Sequence, residues 1–136
     1  MISGIDYVGL GVGGLIVRDG RVLMLLRSEK CRNNRHMWTI PGGMVELQER
    51  LEDSVRREVL EETGLEVSSA KFLSLSDRTF DGQHWVSVLY LCEATGTPEN
   101  KEPDMHEKLE WHDIGCLPVN ITLPSRDAIE SYKMIG

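Results

Sequence analysis

The chain has 136 residues, 40% of them hydrophobic and 27% charged, with a formal net charge of −7. That is enough chain for one domain, 1–136, with a core of its own, and no apolar run reaches the ~20 residues of a membrane span. The acidic balance argues against binding to nucleic acid polymers. Three widely spaced cysteines (Cys31, Cys92, Cys116) form neither a disulfide framework nor a zinc pattern, and no signal peptide is evident, so a reducing cytoplasm is the expected setting.

In chain order, Val8–Val17 reads as a strand rich in glycine and β-branched residues. Asp19-Gly20 then turns it into Arg21–Leu26, since an Asp-Gly pair between apolar runs is a hairpin signal. Residues 28–37 are polar and basic (Lys30, Arg32, Arg35) and should loop back near Gly42-Gly43, as a solvated linker or as a basic lip that meets phosphates. Trp38–Gly43 is a short strand running into a tight loop, and Arg50–Thr63 follows as a helix ended by Gly64. Glu66–Leu75 and His84–Leu91 read as strands around an Asp81-Gly82 turn, the second of them central. Residues 94–107 form an acidic loop, Leu109–Ile114 a short strand, and Ser125 is expected to cap a last helix reaching Ile135. Trp38, Trp85 and Trp111 are read as core, and His84, His106 and His112 receive no role.

The central helix carries the chemistry. Leu51, Val55 and Val59 make its apolar stripe. Glu58 and Glu62 fall in or beside that stripe, with Glu61 on its flank, whereas Glu52, Asp53, Arg56 and Leu60 point away. Three carboxylates at i, i+3 and i+4 repel unless something neutralises them, and a divalent cation with oxygen ligands does so. An EF-hand is excluded because its Asp/Asn-rich twelve-residue loop is missing. An Arg57–Glu49 ion pair would pin the preceding loop to the helix.

The spacing of Gly43, Glu49, Arg57-Glu58-Val59, Glu61-Glu62 and Gly64-Leu65 resembles the Nudix box at every fixed position. Trp38–Gly42 and Glu46 fit the same family, and Glu102–Glu107 with Glu110-Trp111 is similar to a later loop and strand of its MutT-like, nucleoside triphosphate-acting branch. Three residues depart from the usual pattern: Gln48 where glycine is common, Arg50 where Ser or Thr caps the helix, and Ser54 where a small apolar residue is usual.

This resemblance implies an α/β Nudix fold, a mixed β-sheet sandwiched between α-helices. It implies Mg²⁺ as cofactor, with Mn²⁺ able to substitute, held by Glu58 and Glu62, with Glu61 and the Gly43 carbonyl joining them. Glu58, Glu61 and Glu107 stand as candidates for the catalytic base, Glu107 being preferred to Glu102 as the late loop acid. The implied reaction is hydrolysis of a nucleoside diphosphate linked to another moiety, foremost a nucleoside triphosphate, modified or not, giving the monophosphate and pyrophosphate. ADP-ribose or a dinucleotide is the alternative substrate, and a non-catalytic nucleotide-sensing or partner-binding module is the alternative of another class. The partner expected is thus a small nucleotide, with homodimers frequent in the family.

Overall fold

A computed structural model describes residues 1–135. The elements run β1 Gly9–Leu15, β2 Val17–Arg18, β3 Arg21–Arg27, β4 Trp38–Thr39, β5 Gly42–Met44, α1 Leu51–Thr63, β6 Glu66–Phe80, β7 Gln83–Thr95, β8 His106–Asp113 and α2 Leu123–Ile135. One sheet has the order β5-β1-β7-β6, with β1 and β7 parallel and the other pairs antiparallel. In the second sheet, β3 pairs with β2, β4 and β8.

Alternation along the strands sends side chains to opposite faces of the mixed sheet. Val12, Val88, Tyr90 and Cys92 pack with Val55 and Val59 of α1. Leu15 and Leu89 pack with Ala128 and Ile129 of α2. The sheet therefore lies between the two helices. Gly14 leaves room for that packing: a Cβ would stand a tight 3.1 Å from both Val55 and Val59.

Both expected hairpins form. Asp19 and Gly20 have φ of 50° and 74°, and Asp81 and Gly82 have 47° and 71°. Positive φ at both central residues is the type I′ geometry that matches strand twist. The second turn closes a hairpin far longer than the sequence indicates, since β6 continues to Phe80. The first expected strand is interrupted instead: β1 stops at Leu15, and Val17–Arg18 joins the other sheet.

Two helix starts differ from expectation. Ser125 does not cap α2. It lies inside the helix, fully buried, where its hydroxyl accepts the Ile40 N–H at 2.9 Å and meets Thr122 Oγ1 at 2.7 Å. Arg50 occupies the N-cap of α1 without a side-chain cap bond, while Gly64 ends that helix at φ 76° with its N–H on the Leu60 carbonyl. Gln48, in glycine's usual place, is held at φ 69°. The left-handed conformation costs a side-chain-bearing residue roughly 1–2 kcal/mol, and glycine's freedom in the unfolded chain gives back about half of that. Gln48→Gly should therefore stabilise the protein by about 0.5–1 kcal/mol, seen as a raised urea midpoint at unchanged slope. An unchanged or lowered midpoint would show that Gln48 makes compensating contacts.

Candidate active site

Helix α1 presents its faces as its periodicity requires. Val55 and Val59 are fully buried, Glu52, Asp53 and Leu60 are exposed, and Glu62 is only 7% exposed although it is a carboxylic acid. Glu62 Oε1 accepts the Gly42 N–H at 2.8 Å, which ties the helix to the Gly-Gly loop. The Glu58 carboxylate lies against Gly43, where a Cβ would stand 2.5–2.6 Å from it. Any side chain at position 43 would displace Glu58.

Arg57 organises the acids around it. Its Nε and Nη2 grip Glu49 in a two-pronged contact at 2.7 and 3.0 Å, and Nη2 also donates to the Met44 carbonyl at 3.2 Å. Its Nη1 donates to Glu58 at 2.8 Å and to Glu61 at 3.2 Å. The guanidinium bonded to Glu49 lowers that carboxyl to about 2. The helix thereby anchors the loop before it, in the pairing the sequence suggested. Glu61 sits at the rim, half-exposed.

The late acids divide differently from expectation. Glu107, the acid preferred from the sequence, points outward and lies 3.7 Å from His36. Glu102 is the acid brought to the helix: Glu62, Glu102 and His106 place one ligand-type atom each within 4.8 Å of one another. The cause is at the end of α1, whose last carbonyls need donors from outside the helix. Glu99 N–H bonds the Thr63 carbonyl at 2.9 Å and Lys101 N–H the Glu62 carbonyl at 3.1 Å, so the loop is stitched to the helix one residue before Glu102. From its other side, Ser28 Oγ donates to the Asp104 carbonyl at 2.7 Å.

His106 joins the cluster although the sequence gave no reason to single it out. Its N–H bonds back to the Glu102 carbonyl at 3.0 Å, so the two residues share one helical-type turn. The i, i+4 spacing of Glu102 and His106 is the signal that could have paired them. His106 Nε2 lies 3.6 Å from Glu62 Oε2, beyond hydrogen-bond reach, and its Nδ1 is buried without a partner. Burial lowers the imidazole to about 4, so the approach joins a neutral ring to a carboxylate rather than forming an ion pair.

Burial also raises the acids. It lifts Glu58 to about 7 against the opposing charge of Arg57, and lifts Glu62 well above the ordinary carboxylate range. Glu102 is raised too, by burial first and by Glu61 second. A group held above its unfolded value of 4.5 contributes stability that is complete below that pH and disappears as pH rises through the folded value. His106, lowered to about 4, works the opposite way up to its ordinary 6.5, but three raised carboxyls outweigh one imidazole, so the protein free of metal should melt at lower temperature as pH rises from about 5 to 8, most steeply above 6.5. A flat profile over that window would contradict the burial of Glu58 and Glu62. The effect of Glu49, whose carboxyl is lowered, falls in a separate window below 4.5.

Hard carboxylate oxygens with an adjacent unpartnered imidazole nitrogen, all largely withdrawn from water, fit a divalent cation. Of the expected ligands, Glu58 and Glu62 face inward, Glu61 stays at the rim, and Gly43 lies under Glu58. Beside this cluster opens a cleft of about 350 Å³ whose lining includes Glu62, Arg27, Arg78, Phe80 and Trp85. Residues 28–37 contribute Arg32, Asn33 and Asn34 to it. Lys30 pairs instead with Asp104 at 3.7 Å, and Arg35 folds back on the Cys31 carbonyl. Trp85 is 8% exposed, core and cleft wall at once. Trp38 is core, edge-on to His112 with ring centres 4.4 Å apart, whereas Trp111 is half-buried under Arg18.

Residues 8–134 match the NUDIX domain family model. The chain belongs to the Nudix family. These are hydrolases acting on phosphoric anhydride bonds. A MutT NUDIX hydrolase from Burkholderia pseudomallei superposes with a TM-score of 0.87 at 37% identity, over 93% of this chain and 98% of that one. An ADP-ribose pyrophosphatase from Methanocaldococcus jannaschii is 33% identical over 82% of this chain and 66% of its own length. A Caenorhabditis elegans nudix hydrolase is 34% identical over 91% of this chain, which spans only 34% of that protein. The NUDIX domain of Shewanella oneidensis NrtR, complexed with ADP ribose, shares the fold at a TM-score of 0.79 and 18% identity. The Nudix sheet-between-helices architecture is thus the one that the box implied, and the likeness to a MutT structure is consistent with the branch suggested by Glu102–Glu107 and Glu110-Trp111.

Proposed function

We propose that this Nudix chain hydrolyses the anhydride bond of a nucleoside diphosphate linked to a further group, with Mg²⁺ or Mn²⁺, and that nucleoside triphosphates are its principal substrates. The observation that carries this reading is the cluster of Glu62, Glu102 and His106, with Glu58 near enough to act on Glu62, beside a cleft lined by Glu62, arginines and aromatic rings. Glu58, Glu62 and Glu102 would hold the cation, with the Gly43 carbonyl nearby. A bound divalent cation would neutralise phosphate oxygens and acidify a water. Arg57 holds Glu58 and Glu61 side by side, and Gly42 N–H fixes the Glu62 carboxylate. Glu61, half-exposed at the rim, is the acid open to a proton from the attacking water. The hydrophobic wall by Phe80 and Trp85 would receive the base.

The kinship with an ADP-ribose pyrophosphatase supports a second reading, in which ADP-ribose takes the same cleft. Both are tested by product analysis after incubation with Mg²⁺ and a panel of nucleoside triphosphates, modified triphosphates, dinucleotides and ADP-ribose. Turnover should vanish in excess EDTA and return with Mg²⁺ or Mn²⁺. Undiminished turnover in EDTA would overturn the metal-dependent reading, and nucleotide binding without turnover would favour a sensing module.

A further inference from the structure

His106 opens β8 and is only 3% exposed. Further along this strand Leu109 and Trp111 pack on the core beneath α1, so a period of two would turn Glu107 inward with them. The register breaks before that point. Leu26 pairs with Lys108 but Arg27 pairs with His106, which leaves Glu107 as an extra residue. A bulge of this kind re-aims the side chains beyond it. His106 thereby takes the inward place, and Glu107 is turned out to solvent.

The imidazole is not satisfied where it lies. Nδ1 is buried without a partner, and Nε2 stops 3.6 Å from Glu62 Oε2. A hydrogen bond would draw those two atoms to about 2.7–3.2 Å. Two ligands of one cation stand further apart, because each lies about 2.0–2.2 Å from the metal and the pair can span up to about 4 Å. The 3.6 Å spacing fits the second case, and Glu102 offers a carboxylate oxygen to the same cluster, whose ligand-type atoms all lie within 4.8 Å of one another. A ring nitrogen that ligates leaves the proton on the other nitrogen, which ligating histidines give to an acceptor. Asn100 carries such an acceptor. Its Oδ1 is buried without a partner, and its amide nitrogen donates to the His106 carbonyl at 2.8 Å.

We propose that His106 Nε2 is a direct ligand of the cation held by Glu62 and Glu102, and that this nitrogen biases the site toward a first-row transition ion, Mn²⁺ or Co²⁺, over Mg²⁺. The proposal rests on the metal-dependent reading above and narrows its cation. Imidazole suits transition ions, whereas Mg²⁺ takes oxygen donors and keeps several waters, so a nitrogen adds little to its hold.

The test reads the metal itself. The intact protein is loaded with Mn²⁺ in the absence of nucleotide, and pulsed electron paramagnetic resonance records nitrogen coupling to the ion. The parent should show an imidazole coupling whose frequency changes when its histidines carry nitrogen-15, and His106→Gln should abolish it. In calorimetric titrations the same variant should bind Mn²⁺ and Co²⁺ about tenfold or more weakly, and Mg²⁺ no more than about twofold more weakly. Glutamine keeps a polar group in the buried place, and the labelled parent gives its answer whether or not the variant folds. Bound Mn²⁺ without nitrogen coupling, a coupling that survives in folded His106→Gln, or equal losses for Mg²⁺ and Mn²⁺ overturns the proposal. Failure of the parent to bind Mn²⁺ overturns it together with the metal-dependent reading. Nucleotide turnover, measured separately, tells the two apart: coupling without turnover keeps His106 as a ligand and rejects the pyrophosphohydrolase, and turnover without coupling does the reverse.

Discussion

Glu62→Gln should lower kcat by about 10²- to 10⁴-fold, the several kcal/mol that a lost metal interaction represents in the transition state. The substitution is nearly isosteric, and its amide oxygen can still accept the Gly42 N–H that Glu62 accepts at 2.8 Å. The fold should therefore survive. Removing a carboxyl that burial strains should leave the metal-free protein as stable as its parent or more so above neutral pH. Glu52→Gln, on the exposed face of the same helix, should change kcat less than twofold or so. Binding of Mn²⁺ by calorimetry gives a second readout, with the Glu62 variant weakened and the Glu52 variant unaltered. Equal kinetic effects at positions 52 and 62 would place the working face of α1 on the wrong side.

A second large effect is expected in the loop before β8. Glu102→Gln should reduce kcat by about 10- to 100-fold, and Glu107→Gln by no more than about twofold. The reason is location. Glu102 stands with Glu62 and His106, whereas Glu107 is exposed and directed to His36 at 3.7 Å. A group that acts on the metal or the reacting water shows its loss in kcat more than in KM. Steady-state kinetics of the two single variants on the best substrate decides the matter. A large kcat defect at Glu107 with none at Glu102 would return the role to the acid nearer the strand. Two silent variants would confine the chemistry to α1.

This reversal between two acids five residues apart shows where sequence reading stops. On α1 the local period was legible except at Arg56, which was expected to point away and is half-buried with its guanidinium on the Val67 carbonyl. The 3.6-residue period placed Val55, Val59 and Glu62 inward and Glu52 outward. The spacing of Glu49 and Arg57 indicated their ion pair, and two Asp-Gly pairs marked two type I′ hairpins. The box residues themselves carried the family, and with it the sheet between helices.

What the chain's periodicity did not contain was the path of its loops. Ser125 has the chemistry of a cap, yet it is drawn inside α2 to bond the N–H of Ile40, just past β4 and 85 residues away. Glu102 and Glu107 are alike as side chains. The choice between them is made by two backbone bonds from Glu99 and Lys101 to the open carbonyl end of α1, and by Ser28 reaching Asp104 from the far side. The arginine cleft has the same origin. Arg27, Arg32 and Arg78 come from a strand, a loop and a distant hairpin, and each is held by a neutral group whose nearness no spacing reports. The sequence by itself determined the family, the carboxylate face and the turns, because these follow from residue type at short range. Only the tertiary structure decided which late acid reaches that face and which cations line the cleft beside it, because hydrogen bonds between distant segments decide it.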